Sequence, residues 1–321
     1  MKLLLTGVAG FIGSNLCKSL LDKKFHVVGI DSFDNFYSRS IKEQNILDLR
    51  RYPNFNFFEL NVCEELHQIK NESFDVIIHL ASKVGVLPSI SDIDACLQTN
   101  IIGTKNILEL ARHNKVKNVI FSSSSTVYGS NSNKIFSEND CTDLPLTPYG
   151  SSKKACELLL YNYFNLFNIN AIILRLFSVY GKNQRPDLAF HKFSTKIKAN
   201  QIVEIYGDGN SQRDYTEIND VIESILLAIE YITKNDEVYE IFNIGSANPI
   251  SINDVVSKLY EIYHKEPNLV YIDRHPGDMT STFANISKAK NILGYYPRTN
   301  FENGIKNFCK WFMESQQEPN G

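Results

Sequence analysis

Leu3-Leu4-Leu5-Thr6-Gly7-Val8-Ala9-Gly10-Phe11-Ile12-Gly13 joins an apolar run to an amphipathic one through three glycines spaced three apart. The run before the glycines reads as a buried strand, and Phe11–Leu21 carries apolar residues at helical spacing. Glycine permits a tight turn at Gly7 and lets backbone approach a pyrophosphate at Gly10. At Gly13 it lets the helix lie close to the sheet. The unpaired N–H groups of the helix N-terminus then suit a dinucleotide's phosphates. Val27–Ile30 reads as the next strand, and Asp31 ends it 18 residues after Gly13. An acid there accepts hydrogen bonds from the adenosine ribose hydroxyls and repels a 2′-phosphate, so the expected cofactor is NAD rather than NADP.

Outward from that turn the pattern repeats. Phe55–Phe58, Val76–Leu80, Val119–Phe121 and Ala171–Leu176 read as further strands, several of them continuously apolar, as strands buried on both faces should be. Ala95–Arg112 and Ser151–Phe167 read as helices between them. The expected fold is α/β: a doubly wound parallel sheet (Rossmann) with a smaller α/β substrate-binding domain. Residues 1–176 form the NAD-binding part, and a segment of about 212–246 rejoins it through the helix Asn219–Ile232 and the strand Tyr239–Ile244. Residues 177–321 otherwise make the smaller domain, with loops and short elements over 181–216 around a cleft. Ser251 and Asp254 approach a capping box, Ser287 and Gly294 bracket a short helix as cap and stop, and 316–321 reads as a frayed tail.

Composition narrows the function. A net charge of −3 and a pI near 6.2 exclude the basic excess of a nucleic-acid binder. No apolar run reaches the ~18 residues that span a bilayer, so no membrane partner is expected. Met1–Leu5 already reads as strand, so no signal peptide is expected either. The six cysteines, at 17, 63, 96, 141, 156 and 309, include no C-x-x-C pair and read as buried or half-buried thiols without a metal. A cytoplasmic protein follows.

Ser122-Ser123-Ser124-Ser125-Thr126-Val127-Tyr128-Gly129 follows a buried strand, which sets its hydroxyls at the carboxyl edge of the sheet, where such sheets bind ligands. Pro148-Tyr149-Gly150-Ser151-Ser152-Lys153 enters a helix, and the spacing of four puts Tyr149 and Lys153 on one face. An ammonium beside a phenol is expected to favour the phenolate and lower its pKa from about 10 toward working pH. The same lysine can hold the nicotinamide ribose.

Together these residues resemble the extended short-chain dehydrogenase/reductase family, in its nucleotide-sugar epimerase branch. The resemblance spans nearly the whole chain, through His79-Leu80-Ala81, Thr99-Asn100, Arg175-Leu176-Phe177-Ser178-Val179-Tyr180-Gly181, Tyr206-Gly207-Asp208-Gly209, Arg213-Asp214-Tyr215, Phe242-Asn243-Ile244-Gly245 and Pro276-Gly277-Asp278. It implies Tyr149 as base, Lys153 as its electrostatic partner and Ser124 as hydroxyl relay. For NAD it implies Gly7, Gly10, Phe11, Ile12, Gly13, Asp31, Ser32, Asn35, Asn61, Val62, Leu80, Ala81, Lys83, Asn100, Ser122 and Val179. The cofactor would be tightly bound and regenerated at each turnover. For the sugar nucleotide it implies Ser125, Thr126, Ser178, Arg185, Phe193, Tyr206, Arg213, Arg274 and Asp278, with Tyr206 stacking on the nucleobase and Arg213 on a phosphate. Relatives commonly dimerise through the helices near 95–112 and 151–167, which implies a homodimer.

In this family a 4,6-dehydratase carries an Asp-Glu pair immediately before the Val-Tyr-Gly, and a decarboxylase usually a Glu. This chain has Ser125 and Thr126, so elimination lacks its acid and base and 4-epimerisation is favoured. Asp31-Ser32-Phe33-Asp34-Asn35-Phe36-Tyr37 and the run from Phe177 to Phe193 resemble the UDP-glucuronate 4-epimerases, whose products enter carbohydrate metabolism and polysaccharide biosynthesis. The chain departs from that subgroup at Leu87, where an Arg is usual, at Asn61 and at Asn285, where Asp is common; His275 stands where some UDP-glucose epimerases have Arg. UDP-glucose or a UDP-N-acetylhexosamine therefore stays open as substrate. Decarboxylation, dehydration and a catalytically silent NAD-binding scaffold remain as further alternatives.

Overall fold

The computed structural model describes residues 1–64, 66–129, 133, 135–273 and 281–316. Its strands are β1 (Lys2–Thr6), β2 (His26–Asp31), β3 (Phe55–Glu59), β4 (Val76–His79), β5 (Asn118–Ser124), β6 (Asn170–Leu176), β7 (Val179–Tyr180), β8 (Val203–Tyr206), β9 (Gln212–Asp214), β10 (Thr216–Glu217), β11 (Tyr239–Ile244), β12 (Pro249–Ser251) and β13 (Leu269–Ile272). Seven of them form one sheet in the order β11-β6-β5-β4-β1-β2-β3, every pair parallel. The sheet is a Rossmann-like α/β fold, as the alternation of apolar runs and amphipathic stretches predicts. Chain direction through the sheet reverses between β1 and β4, so the crevice beyond their carboxyl ends is the place where such sheets take ligands.

Successive side chains on β1 point to opposite faces. Leu3 and Leu5 join a core with helices α1 (Phe11–Asp22) and α8 (Ile218–Lys234), while Leu4 joins one that includes residues of α5 (Gly103–His113) and α6 (Pro148–Phe167). All seven residues of β6 are buried, which explains why its sequence is continuously apolar apart from Asn170 and Arg175. A third core lies outside the sheet. It gathers Phe190 of α7 (Ala189–Lys198), Val255 and Leu259 of α9 (Ile252–Tyr263), Phe308 and Phe312 of α11 (Phe301–Ser315), and Val203 and Ile205 of β8. Two-stranded pairs β8–β13, β9–β12 and β7–β10 complete this smaller part.

Local chemistry sets several boundaries. Ser251 Oγ accepts from Asp254 N at 3.1 Å and donates to the Asp254 carboxylate at 2.6 Å, so Ser251 caps the helix, but the carboxylate meets the serine hydroxyl rather than its backbone N–H and the box is not closed. The helix α10 (Ser287–Leu293) stops at Gly294, whose φ of +72° is left-handed, as expected. Its start is different: Asn285 Oδ1 accepts from Ser287 N at 3.0 Å, so Asn285 does the work expected of Ser287. The single helix expected over 95–112 is instead α4 (Ile93–Leu97), a π turn at Gln98–Ile102 and then α5, preceded by α3 (Val86–Ser91). Apolar periodicity does not distinguish a π turn from a continuous helix. The helix α2 (Arg39–Leu47) follows β2. Cys141 is exposed, against the expectation of a buried or half-buried thiol, and all six cysteines are free. Apart from Gln316, the tail expected to fray lies outside the described residues.

Candidate active site

The first turn is as tight as its glycines imply. Gly7 has φ +71°, and a Cβ on Gly13 would lie 2.1 Å from the Gly7 carbonyl oxygen. A Cβ on Gly7 would come 2.9 Å from Ala81 N, so the turn is also pressed against the chain leaving β4. Thr6 holds that chain: its Oγ1 accepts from Leu80 N and Ala81 N at 3.1 and 3.0 Å. Its proton therefore goes to His79 Nδ1, 2.7 Å away, and the neutral imidazole donates from Nε2 to Thr104. Complete burial pushes the His79 pKa down to about 3, which keeps the ring neutral at pH 7. Asp31 Oδ2 accepts from Ala9 N and Oδ1 from Phe33 N, which orients the carboxylate at the end of β2. Helix α1 has Gly10 at its N-cap and no side-chain cap, so its first N–H groups remain for a ligand. A glycine cradle closed to a Cβ at Gly7 and Gly13, open amides and an oriented acid are a donor set that fits a dinucleotide.

A cavity of about 850 Å³ runs from this turn across the carboxyl edge of the sheet to the smaller part of the molecule. Its wall includes Gly7, Gly10, Phe11, Ile12, Gly13, Asp31, Ser32, Asn61, Val62, Leu80, Ala81, Lys83, Ser122 and Val179 of the residues expected to meet NAD. It also includes Ser124, Ser125, Thr126, Tyr149, Lys153, Ser178, Arg185, Phe193, Tyr206 and Arg213. Asn35 is exposed and is not on the wall. Asn100 stands behind it: Oδ1 accepts from Ser82 Oγ and Lys83 N, and Nδ2 donates to Lys83 O and Ser152 Oγ. Arg274, His275 and the Pro276-Gly277-Asp278 motif lie outside the described residues.

The chemical end is built where β5 meets α6. Thr147 caps α6 by accepting from Gly150 N at 3.2 Å, which fixes Tyr149 in the first turn. Ser124 Oγ accepts from Thr126 N and Thr126 Oγ1 and lies near enough to the Tyr149 hydroxyl to lower its pKa. Lys153 Nζ donates to Ser122 O at 2.8 Å and sits 5.9 Å from the Tyr149 ring centroid. The expected lowering of the phenol pKa by this lysine is not found. Burial pushes the Tyr149 hydroxyl up to about 12, against the opposing effects of the nearby Ser124 hydroxyl and the charge of Arg185. The same desolvation pushes Lys153 down to about 8. By the chain's own groups alone the phenol stays protonated at neutral pH.

The acids on the wall are already engaged. Asp34 pairs with Lys83 at 2.8 Å, Asp187 with Arg185 at 2.9 Å, Glu204 with Lys196 at 2.5 Å, and Asp31 accepts from two amides. Beside Tyr149 stand Ser125 and Thr126, which offer no acid–base pair for expelling a leaving group. Lys42, Lys153, Lys192 and Arg213 also line the wall, so among the described residues positive side chains outnumber negative ones there, which suits an anionic ligand. Sequence reading missed Tyr37, Lys42, Thr99, Gln184, Asp187, Lys192 and Lys196 as wall residues. Asp34-Asn35-Phe36-Tyr37 and Gln184-Arg185-Pro186-Asp187 were visible as motifs, but only the folded chain sets them against each other: Arg185 lies 5.6 Å from the Phe36 ring.

A Rossmann sheet with a glycine turn, a serine edge and a Tyr-x-x-x-Lys helix on one cavity defines a protein of the extended short-chain dehydrogenase/reductase class. The chain belongs to the family described as GDP-mannose 4,6 dehydratase, whose model matches residues 4–308. A UDP-glucuronate 4-epimerase from Thermodesulfobacterium geofontis is 34% identical, covering 97% of this chain and 96% of that one. The crystal structure of a UDP-glucuronic acid 4-epimerase from Bacillus cereus, in complex with UDP-glucuronic acid and NAD, is 36% identical with a TM-score of 0.92. It covers 98% of this chain and 100% of its own. A UDP-glucose 4-epimerase from Thermotoga maritima, with UDP-glucose, is 30% identical over 99% and 100% of the two chains, with a TM-score of 0.87.

Proposed function

We propose that this protein is an NAD-dependent UDP-sugar 4-epimerase that interconverts UDP-glucuronate and UDP-galacturonate through a 4-keto sugar. One observation carries the reading: Tyr149, Ser124 and Lys153 converge on a cavity whose wall, among the described residues, offers no acid–base pair beside them for elimination. Tyr149 takes the proton of the sugar 4-hydroxyl, and Ser124, beside the phenol, steadies it during transfer. When bound, NAD supplies the hydride acceptor and a positive ring charge. Gly7, Gly10, Gly13, Asp31, Leu80, Ala81 and Lys83 would hold it, and Lys153 would reach its ribose. The 4-keto sugar turns over in the cavity and regains hydrogen on its other face, while Tyr149 returns the proton.

The acidic sugar is supported by the cationic wall, by the hydroxyls of Ser125, Thr126 and Ser178, and by the names of the Thermodesulfobacterium and Bacillus relatives. Arg185, through the face not used on Asp187, is the proposed partner of its carboxylate. A second reading, epimerisation of UDP-glucose, is favoured by one feature. Leu87 is on the wall where the acidic-sugar subgroup usually has Arg. We read residues 1–176 with the 212–246 segment as the part that holds NAD, and the rest of 177–321 as the part that holds the UDP-sugar. Phe193, Tyr206 and Arg213 serve the nucleotide there.

The proposed assembly is a homodimer formed by α3–α5 and α6, where Ile90, Ile93, Leu97, Leu158, Tyr161 and Leu166 leave apolar side chains exposed. The proposed location is the cytoplasm, and the proposed role is supply of an activated acidic sugar to polysaccharide biosynthesis. Among the described residues no helix is long and apolar enough to cross a membrane. Proton NMR of purified protein with UDP-glucuronate, UDP-glucose and UDP-N-acetylglucosamine tests the substrate. The C4 epimer of UDP-glucuronate should accumulate without added NAD. Carbon dioxide or a 4-keto-6-deoxy sugar as the main product would exclude epimerisation.

A further inference from the structure

Behind the serine edge lies a chain of buried polar groups that touches none of the reacting atoms. Glu157 of α6 and Arg175 of β6 are 1% and 2% exposed. Arg175 donates from Nε to Glu157 Oε1 at 3.0 Å and from Nη2 to Oε2 at 2.8 Å, and Ser123 Oγ donates to the same Oε1 at 2.6 Å. The third guanidinium arm donates from Nη1 to the Tyr128 hydroxyl, which in turn donates to Asn243 Oδ1 at 2.6 Å. Asn243 Nδ2 donates to the Phe136 carbonyl. The network thus binds α6, β5, β6, β11 and the chain around Phe136 through Arg175, Tyr128 and Asn243, residues that are remote in sequence.

Its placement bears on catalysis. Glu157 is one turn beyond Lys153 on α6, and Lys153 one turn beyond Tyr149. On the facing strand, Lys153 donates to the carbonyl of Ser122 and Glu157 accepts from the hydroxyl of Ser123, while Tyr149 stands near Ser124. Three successive turns of α6 thus reach the last three residues of β5, though not in chain order. A buried ion pair adds little net stability over an apolar pair of the same volume, but it is directional. We propose that Glu157, oriented by Arg175 and Ser123, is a positioning residue that sets the height and rotation of α6 against β5, so that Tyr149 and Lys153 meet Ser124 in a single register. This rests on the reading of Tyr149, Lys153 and Ser124 as the catalytic group.

The test is steady-state epimerisation of UDP-glucuronate by the NAD-loaded wild type and by Ser123→Ala, Ser123→Thr, Glu157→Gln and Tyr149→Phe, with melting temperature and NAD content measured on each. Ser123→Ala removes the link between strand and helix while leaving the ion pair whole. A small misplacement of reacting groups lowers the chemical step far more than binding, so kcat should fall by about tenfold to a hundredfold. KM and NAD content should stay within about twofold of wild type, because ground-state binding is untouched. Ser123→Thr, which restores the hydroxyl, should recover most of the loss, and Glu157→Gln should fall at least as far as Ser123→Ala. A wild-type kcat in Ser123→Ala, or a loss that merely follows melting temperature and NAD content across the set, would overturn the proposal. A wild type that epimerises no UDP-sugar, or an active Tyr149→Phe, would overturn the functional reading and the proposal with it. A wild-type kcat in Ser123→Ala beside an inactive Tyr149→Phe would sink the positioning role alone.

Discussion

Replacing Gly13 by Ala puts the account of the nucleotide end under the most direct strain. The new methyl would stand 2.1 Å from the Gly7 carbonyl oxygen, 2.9 Å from Gly7 C and 2.9 Å from Val8 Cα. All three are backbone atoms, so no side chain can swing aside, and relief requires α1 to lift from the β1 turn by about 1 Å. Overpacking of this kind costs about 1–3 kcal/mol, and a backbone clash belongs at the upper end. The same lift carries the open amides of α1 away from the pyrophosphate. A loss of about 1.4–2.8 kcal/mol there weakens NAD tenfold to a hundredfold.

Two further alanines separate the causes. At Gly10 the methyl would be 3.2 Å from Gly7 O, tight but tolerable, so NAD binding should weaken with little change in melting temperature. At Gly294 nothing lies within 4 Å and φ is +72°, so the change should cost about 1–2 kcal/mol of stability and leave NAD untouched. Melting curves and NAD titration of cofactor-stripped protein read both quantities. A Gly13→Ala protein that melts with the wild type and binds NAD within twofold would refute the argument.

Tyr149→Phe should abolish turnover while retaining NAD; full activity, measured by NMR, would remove the phenol from its role. Lys153→Met should be inactive yet more stable at neutral pH. The folded chain holds that ammonium at about 8 rather than 10.5, which at about 1.4 kcal/mol per unit is a cost on the order of 3 kcal/mol, relieved as pH rises from 8 toward 10.5. The gain in melting temperature at pH 7 should therefore shrink toward pH 10, and a lower melting temperature at pH 7 would contradict it. Tyr149 acts in the opposite sense. Its folded-state pKa of about 12 lies above the ordinary 10, so its contribution is lost as pH rises from 10 to 12. Asp31→Asn should weaken NAD and narrow its preference over NADP, since the ribose acceptor and the negative charge go together; unchanged discrimination in paired titrations would show that Asp31 does not set it.

The nucleotide end was legible because its constraints are local. Gly7, Gly10 and Gly13 belong to one turn, and Asp31 ends the strand paired with β1, so spacing alone carries the geometry. That Tyr149, Lys153 and Ser124 face one cavity was legible for a related reason: Tyr149 and Lys153 share a helix face, and Ser124 ends a strand. What failed depends on tertiary surroundings. The phenol pKa turns on burial, which outweighs any neighbouring charge at Tyr149. Asn100 looks like a ligand residue in sequence, yet from the π turn its amide meets the Lys83 backbone and the hydroxyls of Ser82 and Ser152. Tyr37, Lys42 and Gln184 reach the cavity only because distant segments pack together, and no periodicity signals that.

The claim at the centre is that hydrogen leaves C4 of the sugar and comes back to C4. UDP-glucuronate carrying deuterium at C4, incubated with the protein in ordinary water without added NAD, tests it by NMR and mass spectrometry. The account predicts UDP-galacturonate with the deuterium still on C4 and the carboxylate intact. Deuterium washed out to solvent, or a product without its carboxylate, would contradict it.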